Sequence, residues 1–310
     1  MYRRFFLLMS VLLLGNGCHR TPEVEAPIHG HEQIRPMASF GQVYVNGKFN
    51  VNLHTGYSHP AVILHGDPRD LTHVVTKVVS GILTITISRG YPLYGPILLD
   101  IHSSYLNAFE YHGQGMITGT KLNSGLLDLL IDNKGNTTLN GHISLRKLNA
   151  KGQGNITISG INSPYLELHL AGKTKVRLNG MANIASLDMK DSPRLSLFWV
   201  KSRELIIRAR GKGFIQLAGI VNKLDVELWG ESYFNGRYLR AKRSYVKTND
   251  KSVADISTVS RQHTLANDKS DIHFYNIPTL KADFMGNEGA VLDMRDLGFR
   301  FDQEYTQYNK

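Results

Sequence analysis

The sequence is poor in cysteine, in tryptophan and in long apolar runs. Its only cysteine is Cys18, and it has two tryptophans among 310 residues. A lone cysteine cannot form a disulfide within the chain, so a disulfide framework is excluded. The apolar stretch Phe5–Leu14 is too short to cross a bilayer core of about 30 Å as a helix. The chain must therefore be held together by a hydrophobic core rather than by cross-links.

The first residues have the features of a targeting segment. Arg3 and Arg4 form a basic start, the apolar stretch follows, and small residues occupy positions 15 and 17 before Cys18. This order of basic, apolar and small residues is typical of an export signal that is removed from the mature protein. Residues 1–18 are therefore predicted to be a signal peptide.

The end of this segment resembles the signal peptides of bacterial lipoproteins, which finish in Leu-small-small-Cys and carry lipid on the cysteine. The chain reads Leu14-Gly15-Asn16-Gly17-Cys18, with the leucine one position early and an unusual asparagine. The resemblance implies lipidation of Cys18. Because His19 rather than aspartate follows, it also implies anchoring in the outer membrane by acyl chains, without a spanning helix. An ordinary secretory signal with an incidental cysteine is the alternative.

Acidic residues are outnumbered by basic ones. The chain has 26 Asp and Glu against 36 Lys and Arg, a formal net charge of +10 with histidine neutral. A basic protein in the cell envelope is attracted to anionic lipid or polysaccharide. Nucleic acid fits the charge alone, but the export signal argues against it, and no nucleic-acid partner is predicted. A solvated surface accounts for most of the charges.

The rest of the chain divides into three parts. Residues 19–38 contain proline and glutamate without apolar periodicity and are predicted to be a flexible tether. Residues 39–294 are predicted to be one β-solenoid domain. Residues 295–310 are either a cap over its open end or a loose tail. Near the start of the domain, residues 70–79 fit a helix or a strand, and their valines favour a strand.

A repeat of about 20 residues between Asn107 and Val226 predicts the fold. Each unit has one apolar residue four positions before a Gly-rich turn, where Asp191 replaces glycine once, and another two positions before a second turn. The first apolar column is Phe109, Ile131, Leu148, Leu168, Leu187, Ile207 and Val226. The second column is Ile117, Leu139, Ile158, Leu178, Leu217 and Phe234. This period predicts an all-β solenoid whose strands stack in parallel.

Several short stretches together resemble the GIN-type head domain of the auto-transporter adhesin family. They are the opening strands Phe40–Gly47, the turn at Gly66-Asp67-Pro68, the Gly-x-Gly turns at 113–115, 152–154 and 211–213, and the closing segment Ile272–Pro278. The resemblance covers roughly residues 40–294. It implies a right-handed parallel β-helix in a bacterial envelope, and it implies no catalytic residues.

The residues suited to catalysis or metal binding do not form a recognisable site. The outward-facing acids and their histidine are Glu167, His169, Asp188, Asp191, Asp225 and Glu227. Their spacing is that expected of solvent-facing strand residues, so no catalytic residue is predicted. The histidines lack the spacing of a zinc site, and the Gly-x-Gly turns lack the helix that a phosphate cradle needs. No metal and no cofactor is predicted.

A cluster of basic and aromatic residues is the clearest candidate binding surface. It comprises Arg237, Tyr238, Arg240, Lys242 and Arg243. Two further basic sets lie on earlier coils: Lys173, Lys175 and Arg177, then Arg208, Arg210 and Lys212. If the sets fall on one flank, they form a stripe suited to acidic glycan, lipopolysaccharide phosphate or anionic lipid. Ordinary outward-facing strand residues are the alternative.

These observations predict a non-enzymatic lipoprotein of the cell envelope with an adhesin-like interaction domain. Its predicted partners are the membrane, through an N-terminal lipid anchor, and acidic glycan, lipopolysaccharide or another envelope protein. A polysaccharide-active β-helix enzyme and a purely structural envelope protein remain the alternatives.

Overall fold

The structure is a computed structural model that describes residues 30–276, 279 and 281–295. It is nearly all β, with 75% strand and 2% helix, and forms a parallel β-solenoid of about 9 turns. The predicted solenoid is therefore confirmed. The predicted signal peptide, Cys18 and residues 296–310 lie outside the described residues.

Short strands and one helical turn build the first end of the solenoid. They are β1 (His31–Pro36), β2 (Gln42–Gly47), β3 (Phe49–Thr55), β4 (Ala61–Gly66), α1 (Pro68–Leu71), β5 (Val74–Val79), β6 (Ile82–Ile87), β7 (Ile97–Ser103) and β8 (Ala108–Gly113). Parallel pairs join β2 to β6 and β8, and β3 to β7. Antiparallel pairs add β4 to β7, β1 to β4 and β5 to β6. The antiparallel strands close this end of the stack.

Long strands, each about one coil, form the body of the solenoid. They are β9 (Ile117–Asn133), β10 (Thr137–Gly152), β11 (Asn155–Leu170), β12 (Lys175–Asp191), β13 (Arg194–Gly211), β14 (Phe214–Gly230), β15 (Tyr233–Thr248) and β16 (Val253–Asn267). The last turns are β17 (Asp271–Phe274), β18 (Lys281–Asn287) and β19 (Ala290–Asp293). Each of the long strands pairs in parallel with the next, so the apolar residues of successive coils stack into ladders.

Shifts in register and breaks in the alternation of buried and outward side chains divide the long strands into three segments. In β14 the register shifts near Ala218 and the alternation breaks between Val221 and Leu224, so the first segment is 214–217, the second is 219–222 and the third is 223–230. Corresponding segments of successive coils lie side by side, and each set forms one face of the solenoid. We call these the first, second and third faces.

The first apolar column is confirmed except at one coil. Its members from Leu148 to Val226 pair in register and are buried. Phe109, however, pairs with Leu129 and not with Ile131. The prediction was wrong here because Asn133, not Gly135, occupies the turn. The Asn133 side chain accepts the N–H of Gly135 at 2.9 Å, so on this coil asparagine takes the position that Gly113 and Gly152 occupy on the neighbouring coils.

The second column needs two corrections, both next to glycines. Leu139 pairs with Gly119 rather than Ile117, and Phe234 pairs with Ile215 rather than Leu217. The Phe234 ring fills the interior beside Gly236, where an added Cβ would lie 2.4 Å from a ring carbon. The large Phe234 side chain thus fills the space left by the absence of a side chain at Gly236, and the core stays packed.

Turns between the third and first faces require left-handed backbone. Asp191 has a φ of 70° and aligns with Gly172 and Gly211, as predicted. An added Cβ on Gly172 would lie 2.5 Å from the Gly152 carbonyl oxygen of the coil before it. Glycine is favoured here because the backbone φ is positive and because a β-carbon would clash with the backbone of the adjacent coil.

Two boundaries differ from the prediction. Residues 31–36 of the predicted tether form β1, because they pair antiparallel with β4. Arg35 also donates hydrogen bonds to the Val74 carbonyl at 2.8 Å and to Thr76 at 3.1 Å. Within 70–79, the preference for a strand is right for Val74–Val79 but wrong for its first two residues, which end α1. Asp67 caps that helix by accepting the N–H of Arg69.

Candidate functional site

Four basic side chains lie in register at the corner between the second and third faces. Lys223, Arg243, Arg261 and Lys281 pair on four successive coils. Neighbouring strands in a sheet are about 4.8 Å apart, so the chain holds like charges directly opposite one another. Such pairs are destabilising in the absence of a counter-charge. We call these four residues the basic ladder.

Further cations widen the ladder into a groove. Arg203, Lys242, Arg243 and Arg261 line an open groove of about 630 Å³ together with Lys223 and Glu204. Glu204 is held by Lys223, with Nζ and Oε1 2.6 Å apart. The hydrogen bond to Glu204 raises the pKa of Lys223 above its ordinary value. Among the described residues, no carboxylate pairs with Arg203, Lys242, Arg243 or Arg261, so their charges face the groove.

The third face carries a ladder of the opposite kind, with alternating charge. His169, Asp188, Arg208, Glu227 and Lys247 pair in register on successive coils. Arg208 lies 3.5 Å from Glu227 and 2.8 Å from Asp225, and Lys247 lies 3.6 Å from Glu227. The acids considered for catalysis are therefore mostly used in cross-coil ion pairs. The contrast makes the basic ladder the exception that needs an explanation.

The predicted basic and aromatic cluster is divided by the fold. Lys242 and Arg243 lie in the groove, and Arg240 is exposed on the second face. Arg237 and Tyr238 lie at the opposite corner, where the Arg237 guanidinium packs over Tyr238 at 5.0 Å and Tyr275 at 5.8 Å. Those two residues lie between the first and second faces, away from the corner that carries the basic ladder.

The predicted basic sets also do not form one stripe. Lys175 and Arg177 lie on the first face, whereas Arg208 and Arg210 lie on the third. Lys212 pairs with Glu231 at 2.9 Å, and Arg210 lies 4.6 Å from the Trp229 ring centre. The hypothesis of a single basic flank from these sets is therefore wrong, because residues near in sequence turn onto different faces.

The second face carries both cations and apolar side chains. Its segments between residues 122 and 260 contain no Asp or Glu. Its segments are 122–126, 141–144, 161–165, 180–185, 199–203, 219–222, 238–242 and 257–260. Trp199 is 57% exposed, Ile220 61% and Met181 44%. Ile220 pairs with Lys201 on one side and with Arg240 on the other. The face is therefore basic and apolar together.

A larger groove follows the glycine turns at the corner between the third and first faces. Its volume is about 710 Å³, and its charged lining includes Lys134, Lys173, Asp132 and Asp191. Its charges are of both signs, so its field is weaker than that of the basic groove.

Histidines and carboxylates meet on the outer surface near β3 and β7. His65 Nε2 lies 2.8 Å from Asp100, and the rings of His54 and His102 are 5.0 Å apart. Burial and nearby His54 lower the pKa of His102. Over the described ranges, no group of three or more His, Cys, Asp or Glu side chains could hold a metal ion. Nor does that part of the chain contain a helix long and apolar enough to cross a membrane.

Fold and site together define a class: a parallel β-solenoid that presents a predominantly basic edge. The sequence matches the model of the family described as "Putative auto-transporter adhesin, head GIN domain" at residues 39–163 and 144–278. The chain belongs to this family, as its turns predicted. An adhesin-like family is typical of envelope or surface proteins.

The solved structures to which this chain is similar are distant in sequence. A "putative lipid binding protein" from Parabacteroides distasonis ATCC 8503 is 12% identical with a TM-score of 0.42, over 85% of this chain and 97% of that chain. A "putative adhesin" from Parabacteroides merdae ATCC 43184 is 15% identical with a TM-score of 0.44, over 86% and 97%. No curated protein matches the sequence.

Sequence reasoning missed three of the four residues of the basic ladder and all of its register. Lys223, Arg261 and Lys281 were not singled out, although with Arg243 they recur at intervals close to one coil. The coil period that relates the apolar residues of each column also relates these charges. The interval varies because the coils differ in length at the corners.

Proposed function

We propose that the protein is a non-enzymatic, adhesin-like module of the bacterial cell envelope that binds a polyanionic ligand, acidic glycan or lipopolysaccharide, at the basic ladder. The observation that carries the proposal is the stacking of Lys223, Arg243, Arg261 and Lys281 in register. A ligand with regularly spaced phosphates or carboxylates matches such a row, because each anionic group offsets the repulsion of two cations.

The shape of the site supports a polymer or a surface as the ligand. The groove is open, runs across successive coils and is formed by flexible side chains on a rigid sheet. An enclosed pocket is the usual site for a small molecule. A repeated edge instead suits a repeated ligand, with many weak contacts adding together.

A titration of residues 19–310 tests the proposal. The ligands are lipopolysaccharide, its deacylated polysaccharide and an uncharged dextran, each at low and high salt. We expect binding to both anionic ligands, reduced by salt, and none to dextran. The variant Arg243→Ala/Arg261→Ala should bind about thirtyfold more weakly, since each of the two cations near an anionic surface contributes roughly 1 kcal/mol.

The matched control is Lys151→Ala/Lys190→Ala, which removes the same charge from the exposed third face. It should bind like the unmodified protein. Equal losses in both variants would mean that net charge alone drives binding. Unchanged binding in the ladder variant would overturn the proposal.

We also propose that Cys18 carries the lipid that anchors the protein in the outer membrane. The position of the only cysteine at the end of the predicted targeting segment, directly after its apolar stretch and small residues, supports this. We expect Cys18→Ser to move the protein from the membrane fraction to the soluble fraction of the envelope, because the acyl chains are lost. Metabolic labelling with a fatty acid checks the modification; a labelled Cys18→Ser protein would contradict it.

A further inference from the structure

Several apolar side chains on the second face lie beside the cations and are exposed to solvent instead of packing in the hydrophobic core. Trp199 pairs with Met181 on the preceding coil, and both point outward. Ile220 lies on the coil after Trp199, two positions farther along the strand, and its backbone partners are Lys201 and Arg240. An isoleucine this exposed between two cations gains nothing from burial within the fold.

The chemical composition of this face is that of a membrane-binding surface. Tryptophan prefers the boundary between headgroups and acyl chains, since its ring is apolar and its N–H is polar. Lysine and arginine beside it are attracted to anionic headgroups. No Asp or Glu occurs in the second-face segments between residues 122 and 260, so nothing on this face repels such a surface.

A soluble glycan explains the basic ladder but not the apolar residues. Trp199 could stack on a sugar, but Ile220 and Met181 give a saccharide no hydrogen bond. A lipid surface accounts for both sets, because the cations meet the headgroups while the apolar tips enter the interface. Charge complementarity and apolar exposure therefore indicate the same partner.

We propose that the second face docks on an anionic lipid bilayer, with Trp199, Ile220 and Met181 entering the interface and Lys201, Arg240 and the basic ladder contacting the headgroups. The inference rests on the proposed anion binding by the ladder and assigns the anion to a lipid surface. The sheet would lie with its second face against the membrane.

Tryptophan fluorescence tests the orientation directly. Trp229 lies on the third face, so Trp229→Phe leaves Trp199 as the single tryptophan. Residues 19–310 with this change are mixed with phosphatidylcholine vesicles, with and without phosphatidylglycerol. We expect a blue shift of Trp199 emission and quenching by brominated lipid with the anionic vesicles alone.

Variants then separate the two parts of the surface. Trp199→Ser/Ile220→Ser should weaken vesicle binding about tenfold or more, from the lost apolar transfer, while binding to deacylated polysaccharide stays unchanged. Trp199→Phe alone should retain most of the vesicle binding. The control Val75→Ser/Val79→Ser removes two exposed apolar residues from β5, away from the second face, and should bind vesicles normally.

The outcomes distinguish this inference from the proposed function. Vesicle binding without any change in Trp199 emission, or undiminished vesicle binding by the serine variant, would overturn membrane docking and leave anion binding intact. If the ladder variant still binds polysaccharide fully, the proposed function itself fails. Circular dichroism melting of every variant shows whether lost binding reflects lost folding.

Discussion

Single side chains replace glycine at the turns by supplying hydrogen bonds. Asp191 adopts a left-handed φ and accepts the Gly172 N–H of the preceding coil at 3.0 Å. Asp250 does the same for Gly230 at 2.8 Å. Aspartate tolerates this backbone better than most residues, since its short side chain bonds locally. One residue thus makes the turn and ties adjacent coils together.

Another residue-scale feature is a buried carboxylate shared by two coils. Asp255, whose side chain is 4% exposed, lies 2.9 Å from His273 Nδ1 and accepts a hydrogen bond from the Tyr233 hydroxyl. The bond to Asp255 raises the pKa of His273 above its ordinary 6.5 despite partial burial, and the nearby Asp271 adds to the effect. Burial and Asp255 raise the pKa of Tyr233.

This pair predicts a pH-dependent contribution to stability. Because the pKa of His273 is raised on folding, its stabilisation is full below the unfolded value of 6.5 and is lost as pH rises through the folded value. The melting temperature lost in His273→Gln should therefore be larger at about pH 5.5 than at about pH 8.5. Thermal melts of both proteins across this range give the difference; a pH-independent loss would contradict an Asp255–His273⁺ pair.

At the scale of elements, the stacked apolar columns hold the coils together. Leu178 is 1% exposed and lies between Ile158 and Leu197 on the neighbouring strands. Each coil buries side chains only against its neighbours, so a fault in one column affects both adjacent interfaces.

We therefore expect Leu178→Asp to unfold the domain, because it buries an unpaired charge in the stack. Leu178→Ala should lower the free energy of unfolding by about 2–5 kcal/mol through the cavity it leaves. Lys190→Ala, on the exposed side of the same strand, should change it by less than about 0.5 kcal/mol. Urea denaturation measures all three; a stable Leu178→Asp protein would contradict the register.

Reversing a charge from basic to acidic should have opposite effects on the free energy of unfolding in the two charge ladders. Arg243→Glu places a carboxylate between Lys223 and Arg261, so it should raise the free energy of unfolding by about 0.5 kcal/mol. The same change should abolish binding to anionic ligands. Stability and function are then opposed at this position.

Lys247→Glu is the matched control, because it lies next to Glu227 in the alternating ladder. It should lower the free energy of unfolding by a similar amount. Denaturation curves at low salt compare the two reversals, since salt screens both effects. Destabilisation by both reversals would show that like charges in the basic ladder cost nothing.

At the scale of the whole molecule, each coil is a structural unit that is equivalent to its neighbours. Gly152 and Gly172 occupy the same turn position on successive coils, one residue pair beyond Lys151 and Ala171. Stability in such a fold is approximately a sum over coils and their interfaces.

Deletion of residues 153–172, which joins Gly152 to Lys173, should therefore leave a folded solenoid one coil shorter. Removing 153–162 should not, because it breaks the stacking of every later ladder against β10. Circular dichroism and cooperative thermal unfolding distinguish the two. Equal loss of structure in both deletions would contradict coil-by-coil stability.

By itself, the sequence determined that the chain is a β-solenoid of a GIN-type family, since a period in apolar residues and turns is a local pattern that stacking must satisfy. It also determined that Asp191 makes a turn. Only the tertiary structure decided the alignment of coil positions near Asn133 and Phe234. Asn133 occupies the turn position expected for Gly135, and Phe234 pairs with Ile215 instead of Leu217. The tertiary structure alone decided which charges share an edge, because coils of unequal length shift the corners. Lys242 and Arg243 were predicted, but their alignment with Lys223, Arg261 and Lys281 depends on those corners, as does the separation of Arg237 from them.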